Sequence, residues 1–151
     1  MWSKKGRNYQ PVVITRSQHQ QRVNVFGWVE LIHGRHRMIR CPKGDTSGFL
    51  MVLSSIQNTF KEKRIHLWVD RARWHKGKRV DRYFETHKEF FIHYIPAYHP
   101  ELNVQEILWK TMRYEETTNT YFDSIDELAV NIFKRSQRWK PSKIFSLCHL
   151  I

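Results

Sequence analysis

Ile65-His-Leu-Trp-Val-Asp70 is a short and nearly continuous apolar run that ends on a carboxylate. Its length and its β-forming residues are typical of a buried strand in a parallel sheet whose two faces are both covered. Ligands of parallel α/β sheets gather at the carboxyl ends of the strands, and Asp70 stands at such an end. The run therefore predicts an α/β fold with a candidate site at the end of this strand.

The flanking sequence alternates between strand and helix patterns. The first predicted elements are a short strand at Val12–Ile14 and a hairpin of residues 23–31 and 36–41 that turns at His33-Gly34. A helix over 49–60, capped by Asp45, Thr46 or Ser47, precedes the strand 65–69, and a short helix near 80–84 precedes a strand over 90–95. Two helices follow, one opened by Asn103 and one opened by the Ser124/Glu127 capping box. Strands separated by helices predict a partly parallel, mixed sheet with flanking helices. The stretch from Lys134 to Lys143 is basic, and we expect it to fray or to contact a partner.

The composition is that of a single basic domain. The chain has 151 residues, of which 40% are hydrophobic, and this suffices for one core. Its net charge of +12 draws it to polyanions and most simply to nucleic acid, although many small basic proteins bind DNA only non-specifically. Its two distant cysteines predict neither a disulfide framework nor a zinc site, and they favour a reducing, cytoplasmic compartment. No apolar run approaches the length of a membrane span.

A second carboxylate, Glu106, lies in Pro100-Glu-Leu-Asn-Val-Gln-Glu-Ile-Leu-Trp109, a segment that reads as the start of a helix. A carboxylate at a strand end that faces one on a helix can hold a divalent metal ion, and such ions bridged to phosphate cut and join DNA. Each acid also has a structural alternative. Asp70 can cap the following turn, and Glu106 can complete a capping box with Asn103. The loop 95–103, rich in Pro, Tyr and His, favours the functional interpretation of Glu106.

Cationic and flat side chains surround both acids. Such a rim suits phosphate backbone and splayed bases, although a solvated basic face with core aromatics has the same composition. His75 could contact phosphate or the attacking group, but a helix-capping role is favoured, and Trp109 is interpreted as a core residue. The candidates for DNA contact are Arg71, Arg73, His75, Lys76, Lys78, Tyr98, His99 and Lys110.

Two segments resemble one known family. Val69-Asp-Arg-Ala-Arg-Trp-His-Lys76 is similar to the second-aspartate motif of the DDE transposases in the mariner-like insertion-sequence superfamily. The segment from Tyr94 to Trp109 is similar to the motif that carries their final acid, and Val23-Asn-Val-Phe-Gly-Trp28 resembles the strand that precedes both. The resemblance covers the chain from Trp2 to about Phe133.

This resemblance implies an RNase H-like fold and two Mg²⁺ or Mn²⁺ ions held by three acids. It implies that Asp70 is the second acid and Glu106 the third, both as catalytic residues and as metal ligands. Water and then a DNA 3′-hydroxyl would attack a phosphodiester. Arg71 stands where the family usually has Asn, and Val104 stands where it usually has Pro.

The resemblance also implies a first acid, and a helix-turn-helix for transposon ends, upstream of the segment that Trp2–Gly6 resembles. We therefore expect residues 1–151 to be one partial catalytic domain without its first strand, with a core over about 2–133 and a basic tail over 134–151. We expect it to be inactive or nearly so alone, in the cytoplasm or bound to nucleoid DNA. Two alternatives stay open. One is a DNA-binding or interaction remnant that pairs with a full-length transposase, and the other is half of a split enzyme completed by a separately encoded N-terminal half.

Overall fold

An antiparallel hairpin is the first element of the described chain. The computed structural model describes residues 22–118 and 120–149, so the predicted strand at Val12–Ile14 lies outside the described residues. Strand β1 (Asn24–Glu30) pairs with strand β2 (Arg35–Cys41) along the full length of both. Gly34 closes the connecting turn with a φ of 66°. The predicted hairpin is confirmed.

A parallel strand pair forms the second sheet. Strands β3 (Ile65–Val69) and β4 (Phe90–Tyr94) are in parallel register from end to end, and helix α2 (Lys78–Thr86) lies in the crossover between them. The predicted α/β class is thereby confirmed. The expectation of a single mixed sheet is not met in residues 22–118 and 120–149, where the strands form two separate two-stranded sheets.

One helix joins the two sheets through a shared core. Helix α1 (Thr46–Thr59) begins at Asp45, whose side chain accepts hydrogen bonds from the N–H groups of Ser47 and Gly48. The buried face of α1 packs against both sheets, and burial of each large apolar side chain there stabilises the fold by about 1.5–3 kcal/mol. The buried residues of this first core are Trp28, Phe49, Val52, Leu53, Ile56, Val69, Val80 and Phe90.

Three further helices cover the opposite face of the hairpin. They are α3 (Val104–Met112), which continues into a π-helical turn (Arg113–Thr117), α4 (Ile125–Gln137) and α5 (Pro141–Leu147). The second core that they form is made of Met38, Leu108, Met112, Ile132, Trp139 and Ile144. Gly27 allows α3 to approach β1 closely, because a Cβ atom there would lie 3.2 Å from Gln105 Nε2 and 3.5 Å from the Trp109 ring. Among the described helices, none has the length and apolar character needed to cross a membrane.

The C-terminal stretch is folded, so the first of the two expectations for Lys134–Lys143, fraying, was wrong, and contact with a partner stays a prediction. Trp139 and Ile144 are buried in the second core. Burial raises the pKa of Glu115, but hydrogen bonds from Lys143 and Trp139 outweigh it and lower that pKa overall. The cations of this stretch therefore hold a carboxylate of the π-helical turn, and its apolar residues anchor α5.

One face of β3 is open, so the prediction that both of its faces are covered was also wrong. Leu67 and Val69 point into the first core, whereas Trp68 lies on the other face with 64% of its surface exposed. The Trp68 ring stacks on His93 of the neighbouring strand with their centroids 4.6 Å apart. The two rings shield each other, which lets an apolar side chain occupy a solvent-facing position.

The turn at Gly34 offers a test of the packing between the hairpin and α5. A Cβ atom at Gly34 would lie 2.8 Å from Pro141 Cα, and the backbone there is left-handed. We expect Gly34→Ala to destabilise the protein by about 2–4 kcal/mol, through combined backbone strain and overpacking. Thermal unfolding measures the effect. Gly44→Ala is the matched control, because its nearest neighbour would be Asn24 Oδ1 at 3.6 Å; equal melting temperatures for the two variants would contradict this packing.

Candidate active site

Asp70 lies at the carboxyl end of β3, as the sequence predicted. The parallel ladder continues one step past the strand, because the Ile95 N–H donates to the Val69 carbonyl oxygen at 2.8 Å. The Asp70 side chain is 46% exposed, although it follows the buried Val69. The carboxylate is thus held at the sheet edge and is open to solvent on one side.

One carboxylate oxygen of Asp70 has two partners from the chain that follows. Oδ1 accepts a hydrogen bond from the Ala72 N–H at 2.9 Å, and it lies 2.9 Å from Nδ1 of His75. The Ala72 contact confirms the structural alternative, in which Asp70 caps the turn after its strand. Both contacts use Oδ1, so the capping role leaves Oδ2 as the oxygen that a cation can reach.

His75 is tied to Asp70 and faces inward. Its side chain is 12% exposed, and its ring packs against Phe49 of α1 with centroids 4.4 Å apart. Nδ1 also lies 3.1 Å from the Asp70 carbonyl oxygen. His75 ends a 3₁₀ turn (Arg73–His75) and does not cap a helix. The interpretation of His75 as a helix cap was therefore wrong, because Gly77 is the residue that precedes α2, whereas its proposed contact with phosphate stays a prediction.

Glu106 lies in the first turn of α3, as predicted, and the capping box that was its structural alternative is not formed. The Asn103 side chain accepts a hydrogen bond from the Gln105 N–H at 3.2 Å. The reciprocal half of a capping box would use the Asn103 N–H, which instead donates to the Pro100 carbonyl oxygen at 3.0 Å. The half-buried Glu106 carboxylate is thus not needed to cap α3.

The loop between β4 and α3 presents one open aromatic ring. Tyr98 is 99% exposed and has a φ of 62°, an uncommon backbone conformation for a bulky residue. His99, which follows it, lies 2.7 Å from Glu101 through Nδ1. That hydrogen bond lowers the pKa of Glu101. Tyr98 is therefore available to a ligand, whereas His99 already has an acidic partner.

Exposed cations follow Asp70 along the loop and into α2. Arg71 is partly committed, because its Nε donates to the Ile95 carbonyl oxygen at 3.4 Å, and Lys76 lies over the Tyr94 ring at 5.2 Å. Trp74 packs edge-on against Phe26. The basic rim, as we call it here, comprises the exposed residues Arg71, Arg73, Lys76, Lys78 and Arg79. Lys110 is also exposed, on α3.

The structure brings Asp70 together with His75 and the basic rim, but it does not join the two acids. Within residues 22–118 and 120–149, no side chain is hydrogen-bonded or ion-paired to both Asp70 and Glu106. In the same residues, no group of three or more His, Cys, Asp or Glu side chains is placed to hold a metal ion. The described part of the chain thus offers two separate oxygen ligands and no complete metal cage.

Two residues of the site were missed by sequence reasoning. Phe49 supports the His75 ring, and the Tyr94 hydroxyl donates to the His75 carbonyl oxygen at 3.3 Å. Burial and the charge of Asp81 raise the pKa of Tyr94. A tyrosine hydroxyl is a donor at neutral pH in any case. Helical spacing identified Phe49 only as a core residue, and no local pattern relates it to a histidine on another element.

A capping role and a metal-ligand role for Glu106 predict different effects of its replacement on the free energy of unfolding. We expect Asn103→Ala to cost about 1 kcal/mol, because it removes the N-cap acceptor of α3. Glu106→Ala, which also removes any side-chain acceptor that could cap the helix, should leave the free energy of unfolding within about 0.5 kcal/mol of wild type, as for a substitution away from any cap. Denaturant unfolding of both variants makes the comparison. A larger loss for Glu106→Ala than for Asn103→Ala would restore the capping role.

Comparison with known proteins identifies the family of the chain. The search of curated proteins found no match to the chain. The family model of the DDE superfamily endonucleases matches residues 1–129, which is most of the chain. The protein therefore belongs to the DDE superfamily endonuclease family.

Proposed function

We propose that this chain is the catalytic region of an insertion-sequence transposase that binds DNA and acts in its cleavage and strand transfer. The observation that carries the proposal is the half-exposed Asp70 at the end of a parallel strand, beside the basic rim. The element order of antiparallel hairpin, helix and parallel strands supports an RNase H-like arrangement, and a single sheet is not part of that support because the described strands form two sheets. We propose that it acts on DNA in the cytoplasm, which its free cysteines support.

Divalent metal ions are generally used in this superfamily, and the oxygen ligands present fit Mg²⁺ or Mn²⁺. Asp70 Oδ2 and the Glu106 carboxylate are the hard, anionic donors that such ions prefer. Bound there, the ions would activate the attacking hydroxyl and stabilise the leaving oxygen of an in-line phosphodiester displacement. Asp70 and Glu106 are thus the proposed metal ligands.

The other residues of the site would hold the substrate. The cations of the basic rim, together with Lys110, neutralise backbone phosphates and release their counterions. Tyr98 offers a free π-face on which an unpaired base can stack. Positioning of the scissile phosphate beside Asp70 is the task that this chain's own side chains perform.

A third acid is proposed to complete the metal site, because residues 22–118 and 120–149 place no three metal-binding side chains together. A full-length transposase or a separately encoded N-terminal half is proposed as a partner of the chain. Residues 1–21 contain no Asp or Glu, and the described residues offer two separated ligands. The 151-residue chain alone should therefore nick supercoiled plasmid weakly or not at all with Mg²⁺ or Mn²⁺. Robust nicking that Asp70→Ala abolishes would overturn the need for a third acid while supporting the role of Asp70.

DNA binding is tested by removing three charges of the basic rim. Arg73→Gln, Lys76→Gln and Lys78→Gln, combined, should weaken binding to duplex DNA of any sequence. The slope of log K against log salt should become shallower by about 0.9 for each phosphate that the variant no longer neutralises. Fluorescence anisotropy at several salt concentrations measures it.

The matched control removes three exposed cations at the other end of β3, namely Lys61→Gln, Lys63→Gln and Arg64→Gln. Its salt slope should stay close to wild type. Equal losses in the two triple variants would show that binding follows net charge and not the basic rim. Binding by neither wild type nor variants at low salt would eliminate the DNA proposal.

The metal ligands are tested by replacing Mg²⁺ with Fe²⁺ and generating hydroxyl radicals with ascorbate and peroxide. Radicals formed at a bound ion cut the nearby backbone, so we expect fragments that end close to Asp70 and Glu106. Asp70→Ala should remove these cuts, and excess Mg²⁺ should suppress them. Asp81→Ala, which removes an exposed carboxylate of α2, is the control. Cutting that persists in Asp70→Ala would place the ion elsewhere.

A further inference from the structure

His75 is a largely covered imidazole that the proposed chemistry does not use directly. It lies on the short 3₁₀ turn after β3, and its ring is directed towards Asp70 at the carboxyl end of that strand. Its Nδ1 is 2.9 Å from Asp70 Oδ1 and 3.1 Å from the Asp70 carbonyl oxygen. A carboxylate oxygen and a carbonyl oxygen are both acceptors, so Nδ1 must carry the proton and donate.

The ring is held in this position from two sides. Phe49 of α1 lies against it with centroids 4.4 Å apart, and the Trp74 ring meets it edge-on at 6.1 Å. The Tyr94 hydroxyl donates to the His75 backbone carbonyl at 3.3 Å, which ties the turn to β4. A side chain that is 12% exposed and this well supported keeps one orientation.

We propose that His75 is a positioning residue that sets the orientation of the Asp70 carboxylate. The inference rests on the proposed function of Asp70 as a metal ligand. The Ala72 N–H holds Oδ1 by a hydrogen bond, and His75 Nδ1 lies beside the same oxygen at 2.9 Å, so the carboxylate plane is fixed and Oδ2 is presented to the ion as a single-oxygen ligand. Hydrogen-bonded partners of metal-binding carboxylates commonly contribute 10- to 100-fold to metal affinity.

Two variants of His75 distinguish the effect of losing the Nδ1 donor from the effect of losing the ring's packing. His75→Phe keeps the packing against Phe49 and loses the Nδ1 donor. His75→Asn places a side-chain N–H near the position of Nδ1 but leaves a cavity beside Phe49. We therefore expect His75→Phe to fold with little loss and to bind Mn²⁺ about 10- to 100-fold more weakly. We expect His75→Asn to melt at a lower temperature and to bind Mn²⁺ nearly as wild type does.

The experiment measures Mn²⁺ affinity of the full 151-residue chain by electron paramagnetic resonance of the free ion, with thermal melting of every variant. Opposite orders of affinity and stability in the two variants support positioning by His75. Affinity that follows stability, or a His75→Phe variant that binds Mn²⁺ as wild type does, would overturn it.

Two further measurements distinguish failure of this inference from failure of the metal site itself. Asp70→Ala should weaken Mn²⁺ binding, and an unchanged affinity would sink the proposed metal site. Nitrogen-15 NMR of the histidine ring in wild type at mildly alkaline pH then tests His75 without any metal. A proton on Nδ1 supports the contact with Asp70, and a proton on Nε2 alone contradicts it.

Discussion

The parallel pairing of β3 with β4 is the interaction on which the site depends. Val69 is buried beneath α1, and its carbonyl oxygen accepts the Ile95 N–H one step beyond the ladder. That bond fixes the end of β3 against the start of the loop that leads to α3. Asp70 is therefore held at the sheet edge by backbone geometry, before any side-chain contact is considered.

The chemistry proposed for Asp70 follows from a division between its two oxygens. Oδ1 has a structural task, because it receives the Ala72 N–H and lies beside His75 Nδ1. Oδ2 has no such contact among the described residues, and it is the oxygen proposed to bind the metal ion. A turn cap and a metal ligand are thus compatible roles for Asp70. The sequence interpretation treated them as alternatives, which they need not be.

Local patterns predicted the elements well and predicted the contacts between them poorly. Alternation in 24–30, helical spacing after Asp45 and the apolar run before Asp70 each identify an element, because each pattern reflects one backbone geometry. The inward orientation of His75 depends on Phe49, which is distant in sequence, so no local pattern could reveal it. The burial of Trp139 escaped notice because cations surround it in sequence. The open face of Trp68 was mistaken for a covered one because its partner, His93, lies on another strand.

The most direct test of the metal-ligand assignment is anomalous diffraction from crystals of the chain soaked in Mn²⁺. We expect a manganese peak about 2.0–2.2 Å from Asp70 Oδ2, with Oδ1 still bound to Ala72, as the ligand distances of such ions require. We expect Glu106 to be the second protein ligand of this site. A peak at other carboxylates, with Asp70 and Glu106 bound only to water, would contradict the assignment.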